Sequence, residues 1–260
     1  MHPVASHREL LDLTDQDPFI RYDVPDGGYE NAWAVGHAVA FPRLRQSSNR
    51  LGITVTGPHD DAALLLDFVA RDMDLTGVAA ISVDQDLLPA LHTVFVERAG
   101  RPLAAGGDWE WMWTHDAPPR LPEEDLLTTL DDSADAADVL ALHEIGNPSA
   151  ESRPGEAVSE RWVGVRDHGI LVASAAMQRT SGGAPHLTGI TVAPSHRGRR
   201  LGLAMTAALT RYAVESDGVC TLGMYSDNAV ARRLYTGLGY QVAHAWASRR
   251  LVSAEAAAPA

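Results

Sequence analysis

Three arginines and two glycines crowd one short loop within "GITVAPSHRGRRLGLA", which starts at Gly189. The loop follows a predicted strand and leads directly into a predicted helix. The first amides of a helix lack partners within the helix and lie at the positive end of its dipole, so they bind anions. Gly198 and Gly202 let an oxyanion approach the backbone, and the arginines add positive charge. The loop therefore predicts a pyrophosphate site.

An earlier copy of the same tetrapeptide, in "GITVTGPHDDAALLLD" from Gly52, carries the opposite charge. Asp60 and Asp61 stand where the later copy has arginines, and two carboxylates there would repel a phosphate. The order of predicted elements after both copies is similar, which indicates an internal duplication of lobes. We therefore expect one lobe with an anion site and one without.

Strand and helix patterns alternate along the chain, which predicts an α/β fold. The helical patterns are "DAALLLDFVARDM", "QDLLPALHTVF", "DSADAADVLALHEIG", "RRLGLAMTAALTRYAVE" and "NAVARRLYTGLG". The strand patterns are "GVAAISVD", "GDWEWMWTHD", "RWVGVRD", "ILVASAAMQRT", "PHLTGITVAP", "VCTLGMYS" and "YQVAHAWASRRL". We predict a degenerate N-terminal lobe at 1–118, a complete C-terminal lobe at 119–252 and a disordered tail at 253–260, with the proline-rich "APPRLPEED" as the linker.

The composition limits the partners. A formal net charge of −13 argues against nucleic acid and mildly favours a cationic acceptor. The sequence has no run of about 18 apolar residues, which a membrane span would need, and its first residues do not form a signal-peptide pattern. We therefore predict a cytoplasmic protein. One cysteine, Cys220, excludes an internal disulfide, the histidines are too scattered to predict a metal site, and the chain has no lysine for a Schiff base.

The spacing of residues around the loop is specific. "RRLGLA" has Arg199, Gly202 and Ala204 in the pattern Arg-x-x-Gly-x-Ala, preceded by V-x-P-x-x-R-G-R. "NAVARRLYTGLGY" adds a second pattern carried by Asn228, Ala231, Leu234, Tyr235, Gly239 and Tyr240. Both patterns resemble signatures of the GNAT superfamily of N-acetyltransferases, and the resemblance covers about 122–251. Arg200 departs from it, since many members have glycine there.

The resemblance implies the GNAT fold, a mixed central sheet with flanking helices, and acetyl-CoA as co-substrate. The co-substrate would lie where two parallel strands, "GITV" and "CTLGMY", splay apart. Backbone groups of Ile190, Thr191 and Val192 would pair with the pantetheine arm, which Asn228 would also contact. The resemblance assigns the pyrophosphate to the amides of Arg197, Gly198, Arg199, Arg200, Leu201, Gly202, Leu203 and Ala204.

The resemblance also assigns catalytic roles. Tyr235 matches a tyrosine that protonates the leaving thiolate in many members, and its reference pKa of about 10 keeps it protonated at neutral pH. Its ring would alternatively only pack against the co-substrate. His186 lies where the arylalkylamine branch keeps a histidine, and a pKa near 6.5 suits a general base. Glu144 and Glu160 are further candidates for the base, while His196 is expected to order the loop.

Two other features favour structural roles. In "WEWMW", the side chains of Trp109, Trp111 and Trp113 share one face of a strand. They would line an acceptor cleft or, as we favour, belong to the core or to an interface between lobes. Cys220 sits in an apolar strand and is predicted to be a buried small hydrophobe.

The leading hypothesis is an N-acetyltransferase that acts on a primary amine of a small molecule, an amino acid derivative or a peptide by direct attack. The alternative is a non-catalytic acyl-CoA-binding sensor or regulatory module. A purely structural protein is the least favoured, because it would not need the loop. The sequence leaves open the acceptor, the acyl length and whether the protein is a monomer or a homodimer.

Overall fold

The computed structural model describes residues 1–29, 31–45 and 50–252. By internal contacts the chain divides into two compact units, neither of which is a single stretch. Unit 1 contains Met1–Trp111, Met224–Asp227 and the residues from Val242 onward, and unit 2 contains Met112–Gly223 and Asn228–Gln241. The linear limits 1–118 and 119–252 stay a prediction, and the predicted disorder of 253–260 concerns residues outside the described part.

The first part of the chain, up to residue 114, alternates strands and helices. Its strands are β1 (His2–Pro3), β2 (Trp33–Val35), β3 (Ala38–Arg45), β4 (Arg50–Thr56), β5 (Ala80–Asp84), β6 (Leu103–Ala104) and β7 (Asp108–Thr114). Its helices are α1 (His7–Leu13), α2 (Pro18–Asp23), α3 (His59–Arg71) and α4 (Leu88–His92). A 3₁₀ turn (Gln85–Leu87) precedes α4, and a π-helical turn (Thr93–Arg98) follows it.

The remaining elements follow the proline-rich stretch. The strands are β8 (Thr128–Leu130), β9 (Ser159–Asp167), β10 (Ile170–Arg179), β11 (Pro185–Val192), β12 (Cys220–Tyr225) and β13 (Gln241–Leu251). The helices are α5 (Ala136–Gly146), α6 (Leu201–Asp217) and α7 (Ala229–Gly237), with 3₁₀ turns at Pro122–Leu126 and Pro194–His196.

In unit 1 the strands pair in the order β1, β2, β3, β4, β5, β13. β4 pairs antiparallel with β3 and parallel with β5, and both ladders keep one register, with Gly52 opposite Arg43 and Ala80. The apolar face of α3 presents Leu65 and Leu66 to the core of this unit, where both are fully buried. In this unit the first tetrapeptide copy therefore lies in a strand that is paired on both edges.

In unit 2 the order is β12, β11, β10, β9, β8, with only β11 and β12 parallel. β9 and β10 form a hairpin whose turn residues, His168 and Gly169, have φ of +48° and +83°. Positive φ at both central positions is typical of a tight hairpin turn, which agrees with the turn predicted from "HG". Helices α5 and α6 pack on β10 and β11.

The predicted α/β fold with a mixed sheet and flanking helices is confirmed. Trp111 agrees with the core interpretation, because it is fully buried in unit 1 and its indole N–H donates to Asp23 at 3.1 Å. Cys220 is fully buried, and burial raises the pKa of its thiol to about 12.

The described residues contain neither a membrane-spanning helix nor a cluster of metal ligands. None of their helices is long and apolar enough to cross a membrane. In the same part of the chain, no group of three or more histidine, cysteine, aspartate or glutamate side chains is placed to hold a metal ion.

Candidate functional site

The second tetrapeptide copy is distorted within its strand. Opposite β10, the ladder of β11 pairs Thr188 with Ala176 and Thr191 with Ser174, so two residues of β11 face one of β10. The extra residue forms a β-bulge, and Gly189 at the bulge has φ of +62°. A Cβ atom on residue 189 would lie 2.4 Å from Ser152 Oγ. Both the backbone angle and the space therefore require glycine here.

The edge of β11 that faces β12 is open over most of its length. The two strands pair only through His186 with Thr221 and Leu187 with Leu222, among all their described residues. From Thr188 onward β11 has lost its parallel neighbour, so its amides and carbonyls can pair with an extended ligand as with another strand. This is the local form of the predicted splay.

A helix start without a cap follows this strand. The residue before α6, Arg200, has no side-chain oxygen to accept a hydrogen bond, and the first turn of α6 contains no acidic residue. Among the described residues, no acceptor is assigned to the amides of Leu201, Gly202 and Leu203. Gly198 has φ of +78° and nothing within 4 Å of where its Cβ would be. The loop is thus accessible and lies at the positive end of a 17-residue helix.

Arg200 has a backbone conformation that favours glycine. Its φ of +59° and ψ of 12° lie in the left-handed region, which costs a side-chain-bearing residue about 1 kcal/mol. The guanidinium points to Glu123 at 3.2 Å in an ion pair.

The other arginines of the loop differ in their roles. Arg197 donates to the carbonyls of Val192 at 3.3 Å and of Gly146 at 2.9 Å, so its guanidinium ties the end of α5 to the end of β11. Arg199 is exposed near Asp167, whose pKa is lowered chiefly by a hydrogen bond to His196.

His196 orders the loop, as the sequence predicted. Its Nε2 lies 3.0 Å from Asp167 Oδ2 and its Nδ1 lies 2.9 Å from Ser195 Oγ. These two contacts anchor the turn between β11 and α6 to the end of β9. Both ring nitrogens are therefore engaged in structural contacts.

Helix α7 brings Leu234 beside the loop and begins after Asn228. A Cβ on Gly202 would lie 3.7 Å from Val192 Cγ2 and 3.9 Å from Leu234 Cδ1, so β11, α6 and α7 converge there. Asn228 caps α7, because its Oδ1 accepts the Ala231 amide at 3.0 Å. Its Nδ2 is left to face outward as a donor, since the residue is exposed.

Tyr235, in the middle of α7, is buried. Burial raises the pKa of its hydroxyl to about 12. Its ring lies 6.0 Å from that of Tyr240, whose hydroxyl is bonded to Thr210 at 2.8 Å. At physiological pH the Tyr235 hydroxyl is therefore a proton donor.

The predicted base candidates lie in different environments. His186 is buried on β11, and its Nδ1 lies 2.9 Å from Thr221 Oγ1. Glu160 forms an ion pair with Arg179 at 2.9 Å, and Glu144 is exposed on α5.

Sequence patterns missed His143 and Ser152. Both are buried beside Gly189, and His143 Nε2 and Ser152 Oγ have no partner among the described residues. His143 falls at an apolar position of α5, where the pattern predicts only packing, so no local signal distinguishes it.

Solved structures share this fold over most of the chain. A GNAT-family protein from Novosphingobium aromaticivorans is similar with a TM-score of 0.52 and 19% identity, covering 93% of this chain and 95% of that one. A GCN5-related N-acetyltransferase from Sphaerobacter thermophilus has a TM-score of 0.54 and 17% identity over 82% and 76% of the two chains. One from Kribbella flavida has a TM-score of 0.51 and 17% identity over 96% of each. At such identities the likeness establishes the fold alone.

The family assignment rests on the sequence and not on these structures. Residues 112–240 match the family model described as Acetyltransferase (GNAT) family. The chain therefore contains a GNAT acetyltransferase domain, which confirms the predicted resemblance and assigns the chain to a family that transfers acyl groups from acyl-CoA. The sequence matches no curated protein.

Proposed function

We propose that the protein is an acetyl-CoA-dependent N-acetyltransferase for a primary amine of a small molecule, an amino acid derivative or a peptide. The proposal rests on one observation above all. The open edge of β11 after Leu187 leads directly to the uncapped start of α6. An extended arm that ends in a pyrophosphate matches this sequence of backbone groups.

The chain's residues have distinct roles in holding acetyl-CoA. Ile190, Thr191 and Val192 would pair with the pantetheine arm along the open edge, and Asn228 would donate to it through Nδ2. The pyrophosphate would accept hydrogen bonds from loop amides between Gly198 and Leu203, with Arg199 adding positive charge. The amides of Arg197 and Ala204 already donate to the carbonyls of Pro194 at 3.4 Å and Arg200 at 2.9 Å. The guanidinium groups of Arg197 and Arg200 also have protein partners, so Arg200 would contribute its amide alone.

Acetyl-CoA supplies a thioester that a neutral amine attacks directly. The protein would contribute mainly proximity and orientation, since both reactants are held in one site. The Tyr235 hydroxyl, protonated at physiological pH, would donate to the departing sulfur. A role for His186 in accepting the amine's proton stays a prediction. The cytoplasmic location, the absence of a nucleic-acid partner and the monomeric or homodimeric state also stay predictions from the sequence.

The first experiment is a calorimetric titration of acetyl-CoA into the wild-type protein and into Gly202→Asp. A carboxylate in the first turn stabilises a helix but repels a pyrophosphate, so the variant should fold and lose binding by at least about 100-fold. The control variant is Asp60→Asn, which changes charge at the start of α3, in the other copy. It should keep wild-type affinity with one site per chain.

A screen of primary amines follows, with released CoA as the readout. Turnover of any amine supports the transferase. Binding at one site with no turnover across the panel would favour the sensor. If acetyl-CoA does not bind at all, or if Asp60→Asn changes the affinity, the assignment of the site to the second copy is wrong.

A further inference from the structure

Two buried polar atoms without partners converge on the bulge of β11. His143 and Ser152 are 7% and 8% exposed, and His143 Nε2 and Ser152 Oγ have no partner among the described residues. A Cβ on Gly189 would lie 2.4 Å from Ser152 Oγ and 3.5 Å from His143 Cε1. The imidazole and the hydroxyl therefore meet on one side of the bulge.

Such atoms are costly to keep. A buried polar group without a hydrogen bond destabilises a fold, and unpaired groups are rare in native proteins. Here two of them lie beside the same glycine, Gly189. The pair is chemically suited to a ligand with polar hydrogens.

The geometry fixes the state of the ring. A hydrogen bond joins the imidazole of His143 to the Gly189 carbonyl. With Nδ1–H directed to this carbonyl, the ring would keep its lone pair on Nε2, the nitrogen without a partner among the described residues. Burial lowers the pKa of His143, and the bond to Gly189 offsets only part of this effect. The imidazole is therefore neutral at pH 7, and its Cε1 lies beside the bulge.

The groups around the ring carry no charge. Gly189 on β11 presents a carbonyl, Ser152 on the loop after α5 presents a hydroxyl, and Trp162 on β9 presents a ring 6.5 Å away. Glu144, the next residue on α5, is exposed. His143 forms no ion pair with the described residues, so the titration of its imidazole is not coupled to that of a neighbouring charged group.

We propose that His143 Nε2 accepts the proton of the attacking amine, whose nitrogen binds beside Gly189 with Ser152 as its second polar contact. The inference rests on the proposed function. An arm that begins at the start of α6 and runs back along the open edge of β11 carries its thioester towards Gly189. The acceptor would shift the loop at 147–158, which is buried chiefly through Ser152, to reach Nε2.

The proposed reaction moves three protons. The substrate ammonium gives one proton to His143 Nε2, which becomes an imidazolium, and the free amine forms a C–N bond with the thioester carbonyl. The C–S bond breaks, and the thiolate takes the Tyr235 proton. The amide nitrogen loses its second proton, which restores the Tyr235 hydroxyl. His143 then releases its proton to solvent, so that each turnover yields one amide, one CoA thiol and one proton.

His186 provides a matched comparison, since both histidines are buried in unit 2. Thr221 Oγ1 donates to the Pro185 carbonyl at 2.8 Å, so it accepts from His186 Nδ1–H at 2.9 Å. Asparagine can replace the Nδ1–H donor of either ring but cannot act as a base. His143→Asn and His186→Asn therefore retain a donor at the Nδ1 position and cannot accept the amine's proton.

The test measures CoA release against pH with one primary amine from the screen, after calorimetry with acetyl-CoA and a thermal melt of each variant. Wild-type kcat/KM should reach a plateau between the pKa of His143 and that of the amine. In His143→Asn, acetyl-CoA affinity should be unchanged, kcat should fall about 100-fold at pH 7, and log kcat/KM should rise with unit slope up to the amine's pKa. His186→Asn should keep the plateau.

Four outcomes would overturn the inference. His143→Asn would keep the plateau, or His186→Asn would abolish it instead, while the transferase stands in both cases. A wild-type profile without a plateau would exclude an internal base at either position, even if the His143 variant failed to fold. If the wild type turns over no amine, the proposed function fails and the inference fails with it.

Discussion

The tetrapeptide Gly-Ile-Thr-Val folds in two ways within this chain. In β4 it is paired on both sides, with β3 and with β5, in one unbroken register. In β11 it is bulged at Gly189, and the edge towards β12 is open after Leu187. Four identical residues therefore form a closed strand in one unit and an open one in the other, so their surroundings decide the difference.

The residues that close the first copy can be named. Thr56 at the end of β4 donates to Asp84 at the end of β5 with an O···O distance of 2.5 Å, so the two strand ends are joined. Asp84 and Asp17 bind the two nitrogens of His244 at 2.7 and 2.9 Å. In the second copy, β11 and β12 have already separated at the matching place. A polar network thus joins the strand ends in the first copy, where the second copy has an open strand edge.

The helix starts differ in the same sense. The first turn of α3 contains Asp60 and Asp61, whose own carboxylates satisfy the positive end of the helix dipole. The first turn of α6 contains no acidic residue. The same tetrapeptide is thus followed by a helix start with two carboxylates in one unit and by a helix start with none in the other.

The largest expected effect is on the bulge. Gly189→Ala would place a Cβ against Ser152 in a backbone conformation that alanine disfavours, and should lower the free energy of unfolding by about 3 kcal/mol. Gly52→Ala, in a regular register, should cost less than about 1 kcal/mol. Denaturant unfolding of both variants measures the difference, and equal losses would contradict the asymmetry of the two copies.

The free energy of unfolding should depend on pH through the polar network at the first tetrapeptide copy. Burial alone would lower the pKa of His244, but hydrogen bonds to Asp17 and Asp84 outweigh it and raise the pKa to about 9. A raised pKa stabilises the fold fully below the unfolded value of 6.5, and this contribution is lost as the pH rises through 9. The wild type should lose about 3 kcal/mol relative to His244→Phe between pH 6 and pH 10. Parallel stability curves would show that His244 is neutral in the fold.

A smaller effect is expected on catalysis at the open copy. Tyr235→Phe removes only the hydroxyl, so acetyl-CoA binding should be kept while kcat falls about 10- to 30-fold. Because the pKa of Tyr235 is about 12, the ratio of the two rates should be constant between pH 6 and pH 10. Tyr212→Phe, which changes an exposed tyrosine on α6, is the control. Unchanged kcat in Tyr235→Phe would limit this residue to packing.

The smallest effect concerns the left-handed residue before α6. Arg200→Gly removes the backbone strain and an exposed ion pair, and glycine adds freedom to the unfolded chain. The net change should be a stabilisation of about 0.5 kcal/mol with acetyl-CoA affinity kept within threefold. A large loss of affinity would instead give the Arg200 guanidinium a direct role with the ligand.

The sequence predicts the parts of the site that local patterns encode. The loop from Arg197 to Gly202, the helix after it and the cap at Asn228 follow from residue type and spacing. The bulge at Gly189 does not, since the same four residues keep a regular register in β4. His143 and His244 were missed because their partners lie far along the chain. No pattern assigned the strands before residue 50.

The reactivity of Cys220 can report whether the protein is folded. The thiol is fully buried, and with a pKa of about 12 it forms almost no thiolate at neutral pH, so it should not react with disulfide reagents in the folded state. Assays that detect released CoA by such a reagent would therefore see the product alone. Cys220 is the chain's single cysteine and would react only when unfolding exposes it. The rate at which it is labelled would therefore report how often the surrounding structure unfolds.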